Sequence, residues 1–137
     1  PETFTVYVRI PEWAGAKSNL SLNGHRTGDE LAPGKFLALQ RTWKDGDRIE
    51  IEFEMPLRLE AVDSETPDHV ALMHGPIALF GVGNIPSGIT RSQLLAATPA
   101  PSSKEDWLVH TNNGTLVLRP FASIMSEEYR LYQTVEG

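Results

Sequence analysis

The sequence has no cysteine, no long apolar run and fewer basic than acidic residues. Without cysteine, the 137-residue chain can form neither a disulfide nor a thiolate zinc site, and it has no cysteine nucleophile. No stretch approaches the roughly 20 apolar residues that span a bilayer. The formal net charge of −6 disfavours nucleic acid and anionic membranes as partners, because both would repel the chain. The compartment stays open, since a cytoplasmic and an extracytoplasmic location both fit.

Length and composition are typical of a single globular domain over residues 1–137. Hydrophobic residues make up 40% of the chain and charged residues 22%, which is close to the average balance. A folded chain of this size buries about two-thirds of its unfolded surface, so it needs no covalent staples. Proline and serine mark a long connection at about 84–104, and a short helix is expected near 90–97.

Alternation of apolar and polar residues is the main structural signal, because its period of two is that of a half-buried strand. Two nearly continuous apolar runs, 69–74 and 77–80, are typical of strands covered on both faces. About nine strands are predicted, at 4–10, 20–22, 36–43, 49–61 with an interruption at Pro56, 69–74, 77–80, 107–111, 116–118 and 129–135. This pattern predicts an all-β fold, a jelly-roll-like antiparallel β-sandwich.

Three carboxylates share one predicted strand face, Glu50, Glu52 and Glu54, with neighbouring positions about 6.6 Å apart. Two carboxylates at this spacing can in principle serve an inverting glycosidase. Nothing nearby predicts the apolar pocket that would raise the pKa of one of them. A solvated strand face is therefore the favoured interpretation, and no catalytic residue is predicted.

Histidines and loop aspartates offer no clear metal site. His69 and His74 are an odd number of residues apart, so a regular strand points their imidazoles to opposite faces. Calcium held by loop carboxylates such as Asp45, Asp47 or Asp63 stays an open alternative. No metal or cofactor is predicted.

Aromatic side chains are the residues that a sugar-binding surface would use. Trp13 lies in a loop that follows the first predicted strand, and Tyr7 and Tyr132 lie in or near the first and last strands. In a small sandwich, such residues more often fill the core or its edge. Trp13, Tyr7 and Tyr132 are the candidates for contact with carbohydrate or with a neighbouring domain.

Several short motifs occur in a recognisable order. They are Val8–Ala14 (VRIPEWA), Leu22–Gly24 (LNG), Leu39–Asp47 (LQRTWKDGD), Met55-Pro56, Val70–Ile77 (VALMHGPI), Leu118–Phe121 (LRPF) and Tyr129–Tyr132 (YRLY). Together they resemble the C-terminal β-region of the β-L-arabinofuranosidase-like glycoside hydrolases of family 127. Each motif is short, and the order of all of them carries the resemblance.

The resemblance implies a supporting role. In that family, catalysis is attributed to a preceding (α/α)6 barrel in which cysteines and a glutamate hold zinc and one cysteine is the nucleophile. No position of this chain matches those residues. The implied function is a non-catalytic accessory domain of a hydrolase of arabinose-containing or related plant glycans, with the parent barrel as its partner. A carbohydrate-binding module that contacts glycan itself and a protein-interaction domain are the alternatives.

Overall fold

The computed structural model describes all 137 residues, and every strand pair in it is antiparallel. The strands form three sheets, which confirms the predicted all-β class. The residues divide into two compact units, Pro1–Pro56 (unit 1) and Leu57–Gly137 (unit 2). The single domain that the sequence predicts over residues 1–137 stays a prediction.

Unit 1 is a small sandwich of two sheets. Its strands are β1 (Glu2–Arg9), β2 (Asn19–Leu22), β3 (His25–Arg26), β4 (Phe36–Trp43) and β5 (Ile49–Glu52). β1 pairs with β4, while β2 lies between β3 and β5. Leu39 from the first sheet and Leu20 from the second are buried in one core together with Ile10 and Leu31. The apolar stripes of the two sheets therefore cover each other.

The period of two in the sequence explains the faces of the first sheet. Val8 lies opposite Leu37 and packs against the core, whereas Tyr7 lies opposite Ala38 on the exposed face. A tight turn joins β2 to β3 at Asn23, which has a positive φ of 50°. Asparagine tolerates this left-handed conformation better than other non-glycine residues do.

Unit 2 is built on one sheet. Its strands are β6 (Leu57–Ala61), β7 (His69–His74), β8 (Ile77–Val82), β9 (Thr98–Pro99), β10 (Trp107–Thr111), β11 (Gly114–Pro120), β12 (Tyr129–Arg130) and β13 (Gln133–Thr134). The sheet order is β6-β7-β8-β11-β10-β9. Leu72, Leu79, Leu116 and Leu118 are buried on its inner face. In β7, Val70, Ala71 and Leu72 are buried at consecutive positions, as the continuous apolar run predicts.

The C-terminal segment adds two short strands to the middle of this sheet. β12 pairs with β8 at Gly81 and Val82, and β13 pairs with β7. The side chain of Gln133 is buried, and its amide nitrogen donates to the carbonyl oxygen of Arg130 at 2.9 Å. A Cβ at Gly81 would lie 2.8 Å from that nitrogen, so the glycine leaves the room that the glutamine fills.

One short helix, α1 (Arg91–Leu95), interrupts the connection at 84–104, as predicted. Thr90 and Gln93 form a reciprocal capping box, and Leu94 is completely buried in the unit 2 core. At five residues it is the longest helix, and no helix of this chain could cross a membrane.

The number of strands is thirteen rather than about nine. Two extra strands, β3 and β9, have only two residues each, and an alternating pattern cannot be recognised in so short a segment. The predicted strand at 129–135 is two separate strands, because β12 and β13 pair with different neighbours. Pro56 does separate β5 from β6, as a residue without an N–H donor should.

Candidate functional site

Three aromatic side chains meet on the outer face of the unit 2 sheet, the face opposite to its core. Phe80 belongs to β8, Tyr129 to β12, and Phe121 to a single 3-10 turn (Phe121–Ser123) that follows β11. The three ring centroids are 5.5 to 5.8 Å apart. Phe121 is 58% exposed and Tyr129 is 55% exposed. We call Phe80, Phe121 and Tyr129 the aromatic cluster.

The rings of the aromatic cluster do not lie in one plane. Tyr129 meets Phe80 and Phe121 edge-on, with interplanar angles of 75° and 77°. A sugar ring stacks on a flat aromatic face. Rings that meet edge-on do not form a continuous flat face of this kind. Exposed apolar side chains that cluster in this way mark a surface that contacts another molecule.

A charged network lies beside the aromatic cluster. Arg119 is opposite Phe80 in the strand register, and it donates to both carboxylate oxygens of Asp106, from Nε at 2.6 Å and from Nη2 at 3.0 Å. Its Nη1 donates to Oε1 of Glu127 at 2.9 Å. The bonds to Asp106 raise the pKa of Arg119 still further, so this side chain is always charged. The guanidinium thus joins β11 to the loops on either side of it.

Glu127 orders the loop between Phe121 and Tyr129. Its Oε2 accepts a hydrogen bond from the backbone N–H of Met125 at 2.8 Å. This backbone bond and the bond from Arg119 favour the ionised form and lower the pKa of Glu127. Met125 is 89% exposed, which extends the apolar surface of the loop.

Two of the residues singled out from the sequence lie in unit 1. Tyr7 is 66% exposed on the outer face of β1. Its diagonal neighbour on that face is Phe36, which lies under the guanidinium of Arg9 at 5.5 Å. Trp13 is half-buried against the unit 1 core and meets Phe53 edge-on, with centroids 5.7 Å apart. Its indole is therefore partly covered, while Tyr7 is open to a partner.

Tyr132 lies in unit 2 between β12 and β13 and is 39% exposed. The roles predicted for Tyr7, Trp13 and Tyr132 stay predictions. Sequence reasoning missed the exposure of Phe36 and Phe121. A signal for Phe36 was present, since Leu37 and Leu39 occupy the buried positions of β4 and leave Phe36 on the other face.

Two of the three candidate carboxylates lie on the open surface of β5. Glu50 and Glu52 are exposed, and Glu50 pairs with Arg48 at 3.3 Å. Glu54 lies beyond the end of the strand and accepts a bond from the backbone N–H of Lys17 at 3.3 Å. No apolar pocket surrounds these groups. The arrangement is that of a solvated strand face.

Loop aspartates make turns rather than a shared ligand set. Asp47 accepts bonds from the backbone N–H of Lys44 and the side-chain amide of Asn23, which lower its pKa. Asp63 accepts bonds from the hydroxyl and backbone N–H of Thr66, and its pKa is lowered as well. Nowhere in the chain do three or more histidine, aspartate or glutamate side chains group as metal ligands would.

A known protein family matches unit 1. The model described as "Beta-L-arabinofuranosidase, GH127 middle domain" matches residues 1–55. Residues 1–55 therefore match a GH127 domain. The end of the match coincides with the end of unit 1 at Pro56, and it confirms the resemblance carried by the sequence motifs. No curated protein matches the chain.

Solved structures of GH127 and related proteins have a similar fold. A glycoside hydrolase superposes with a TM-score of 0.67 at 18% identity, covering 100% of this chain and 28% of its own. A GH127 β-L-arabinofuranosidase from Geobacillus stearothermophilus T6 gives 0.67 at 16% identity, covering 98% and 27%. The GH127 β-arabinofuranosidase BT3674 gives 0.61 at 20% identity, covering 98% and 28%. This chain spans little more than a quarter of each, and identities this low show the fold alone.

Proposed function

We propose that this chain is a non-catalytic accessory region of a GH127-like glycoside hydrolase that acts on arabinose-containing or related plant glycans. One observation carries the proposal: residues 1–55 match a GH127 middle domain, while the full chain corresponds to about 28% of the related hydrolases. In this proposal, the catalytic barrel is a separate part of the parent polypeptide, and the β-rich region braces it.

The chemistry of the chain supports a bracing role. Many glycosidases use two carboxyl groups held in different environments, so that one is protonated and the other ionised, whereas the family 127 resemblance implies a cysteine nucleophile, which this chain lacks. Glu50 and Glu52 share one exposed environment, and Glu50 is already paired with Arg48. No apolar pocket surrounds either carboxyl group. The glycosidic bond is accordingly cut by residues outside this chain.

The aromatic cluster is the surface that we propose packs against the parent barrel. Phe121 and Tyr129 expose more than half of their surface, and Met125 next to them is almost fully exposed. Covering each large apolar side chain contributes about 1.5–3 kcal/mol. The network around Arg119 holds the loop in place before docking, which reduces the entropy lost on contact. Tyr7, Trp13 and Tyr132 are further candidates for contact with the barrel or with glycan.

Hydrolysis of a chromogenic arabinofuranoside tests the catalytic part of the proposal. Purified residues 1–137 are expected to release no nitrophenol from a nitrophenyl β-L-arabinofuranoside, whereas the complete polypeptide releases it. Turnover by the chain alone, retained after further purification and lost in Glu50→Gln, would refute the accessory role.

Thermal unfolding of the complete polypeptide tests the docking part. The double variant Phe121→Ser/Tyr129→Ser should lose about 2–4 kcal/mol there, because two apolar contacts are removed. In the isolated chain the same variant should lose less stability, because both side chains are more than half exposed there and only their contacts within the aromatic cluster are removed. Val62→Ser, at another exposed apolar residue of unit 2, is the matched control. Equal losses in the complete and isolated proteins would contradict docking at this surface.

The carbohydrate-binding alternative makes a different prediction. A binding module would retain polymeric arabinan when immobilised by itself, and Trp13→Ala would abolish that retention. Such a result would replace the bracing role with glycan capture.

A further inference from the structure

We propose that a cleft at one end of unit 2 binds a single sugar residue. The cleft has a volume of about 240 Å³ and is lined by His74, at the end of β7, and by Trp107, at the start of β10. Lys104 and Glu105 stand at its rim, and Leu79 contributes to its floor. None of these residues belongs to the aromatic cluster.

The strand register places the cleft at the open end of the core face. Leu79 lies opposite Leu72 on one side and opposite Pro120 on the other, and Leu72 is part of the buried core. His74 is two residues beyond Leu72, so it shares that face. The buried core is therefore continuous with the floor of the cleft.

Two aromatic rings that contact each other form one wall of the cleft. The imidazole of His74 and the indole of Trp107 have centroids 4.9 Å apart and are tilted by 57°. Both side chains are half-buried, and Trp107 packs against the core on its inner side. An indole face fixed in this way can stack against the C–H face of a sugar ring without first losing conformational freedom.

The polar groups around the cleft have free hydrogen-bonding capacity. The indole N–H of Trp107, the imidazole of His74 and the charged ends of Lys104 and Glu105 have no hydrogen-bond partner within the chain. A side-chain polar atom that is buried and also lacks a partner occurs in this chain at Oε1 of Gln133, and at none of these four groups. The four groups are therefore accessible to solvent. They supply both donors and acceptors, which is what hydroxyl groups require.

Charge and size narrow the ligand class. Lys104 and Glu105 carry opposite charges, so the rim favours neither an anion nor a cation, and a neutral polyhydroxylated ligand fits best. A volume of about 240 Å³ is below the roughly 300–1,000 Å³ of pockets for drug-sized ligands. The cleft therefore holds one sugar residue or the end of a chain. The choice of L-arabinose as the probe rests on the proposed function. The site itself is inferred from the residues that line the cleft.

Titration of the 137-residue chain with L-arabinose, followed by NMR, tests the proposal. The indole N–H signal of Trp107 should shift and saturate in the millimolar range, while those of Trp13 and Trp43 should not move. The rim variant Lys104→Ala/Glu105→Gln should bind roughly tenfold more weakly, since it loses hydrogen bonds to the ligand. Lys17→Ala/Glu65→Gln, the same changes at exposed sites elsewhere, is the matched control and should bind normally.

Two results would overturn the site. One is the absence of any saturable shift at Trp107, and the other is binding that persists unchanged in the rim variant. Either would leave the accessory role intact, because that role is judged by the stability of the complete polypeptide. If the docking test failed while the chain still bound arabinose normally, the bracing role would be wrong and the sugar site in the cleft would stand.

Discussion

Replacing Arg119 by methionine should destabilise unit 2 by about 2 kcal/mol. Methionine keeps the apolar part of the side chain but removes both hydrogen bonds from Arg119 to the carboxylate of Asp106. The side chain of Asp106 is only 14% exposed, so water replaces these bonds poorly. Breaking a fully buried pair costs about 3–5 kcal/mol and an exposed one about 0–1, so this partly shielded pair lies between them. In urea denaturation, a loss of that size lowers the midpoint by about 1 M.

The matched control is Arg48→Met. Arg48 also pairs with a carboxylate, that of Glu50, but both side chains are largely exposed, at 73% and 58%. We expect it to change the free energy of unfolding by less than about 0.5 kcal/mol. A double-mutant cycle with Asp106→Asn should give a coupling energy above about 1 kcal/mol for Arg119. Equal urea midpoints for Arg119→Met and Arg48→Met would refute the structural role assigned to the network.

Three further changes have defined outcomes. Gly81→Ala should cost about 1–3 kcal/mol in chemical denaturation, because the new Cβ meets the amide of buried Gln133, whereas Gly137→Ala, with nothing within 4 Å, should cost nothing. Leu94→Ala should cost about 2–5 kcal/mol, because the side chain is completely buried, and loss of α1 should appear as faster amide exchange at 91–95. Glu127 has a folded pKa below its ordinary value of 4.5, so its contribution is complete above about pH 4.5 and is lost as the pH falls through that lower pKa. Acid titration of Glu127→Gln should lack this component, and an unchanged acid profile would contradict it.

The sequence predicted strands best where an apolar run is long and clearly bounded. β4, β6, β7 and β10 have the predicted bounds, because an alternating or continuous apolar run lies between loop-forming residues in each case. The helix at 91–95 was also predictable, since a short segment that begins with polar residues and ends with apolar ones lies within a proline-rich connection. Local signals were sufficient for these elements.

The candidate surfaces depend on contacts that are distant in sequence. Tyr129 joins Phe80 only because the C-terminal segment pairs with β8, and nothing local to residues 129–135 specifies that partner. Phe121 is exposed because β11 ends at Pro120, so the ring no longer follows the alternation of the strand. Cross-strand pairing of this kind is decided by the whole sheet, and a periodic pattern does not contain it.

The alternation within β8 and β11 keeps the two proposed surfaces of unit 2 apart. Leu79 and Pro120 face the cleft, while their chain neighbours Phe80 and Arg119 face the aromatic cluster and its charged network. A substitution that removes apolar surface on one face therefore leaves the side chains of the other face in place. Phe121→Ser/Tyr129→Ser should weaken docking without changing arabinose binding, and Lys104→Ala/Glu105→Gln should do the reverse. If either double variant altered both properties, the two faces would be coupled through the sheet, and the separation argued from strand register would be wrong.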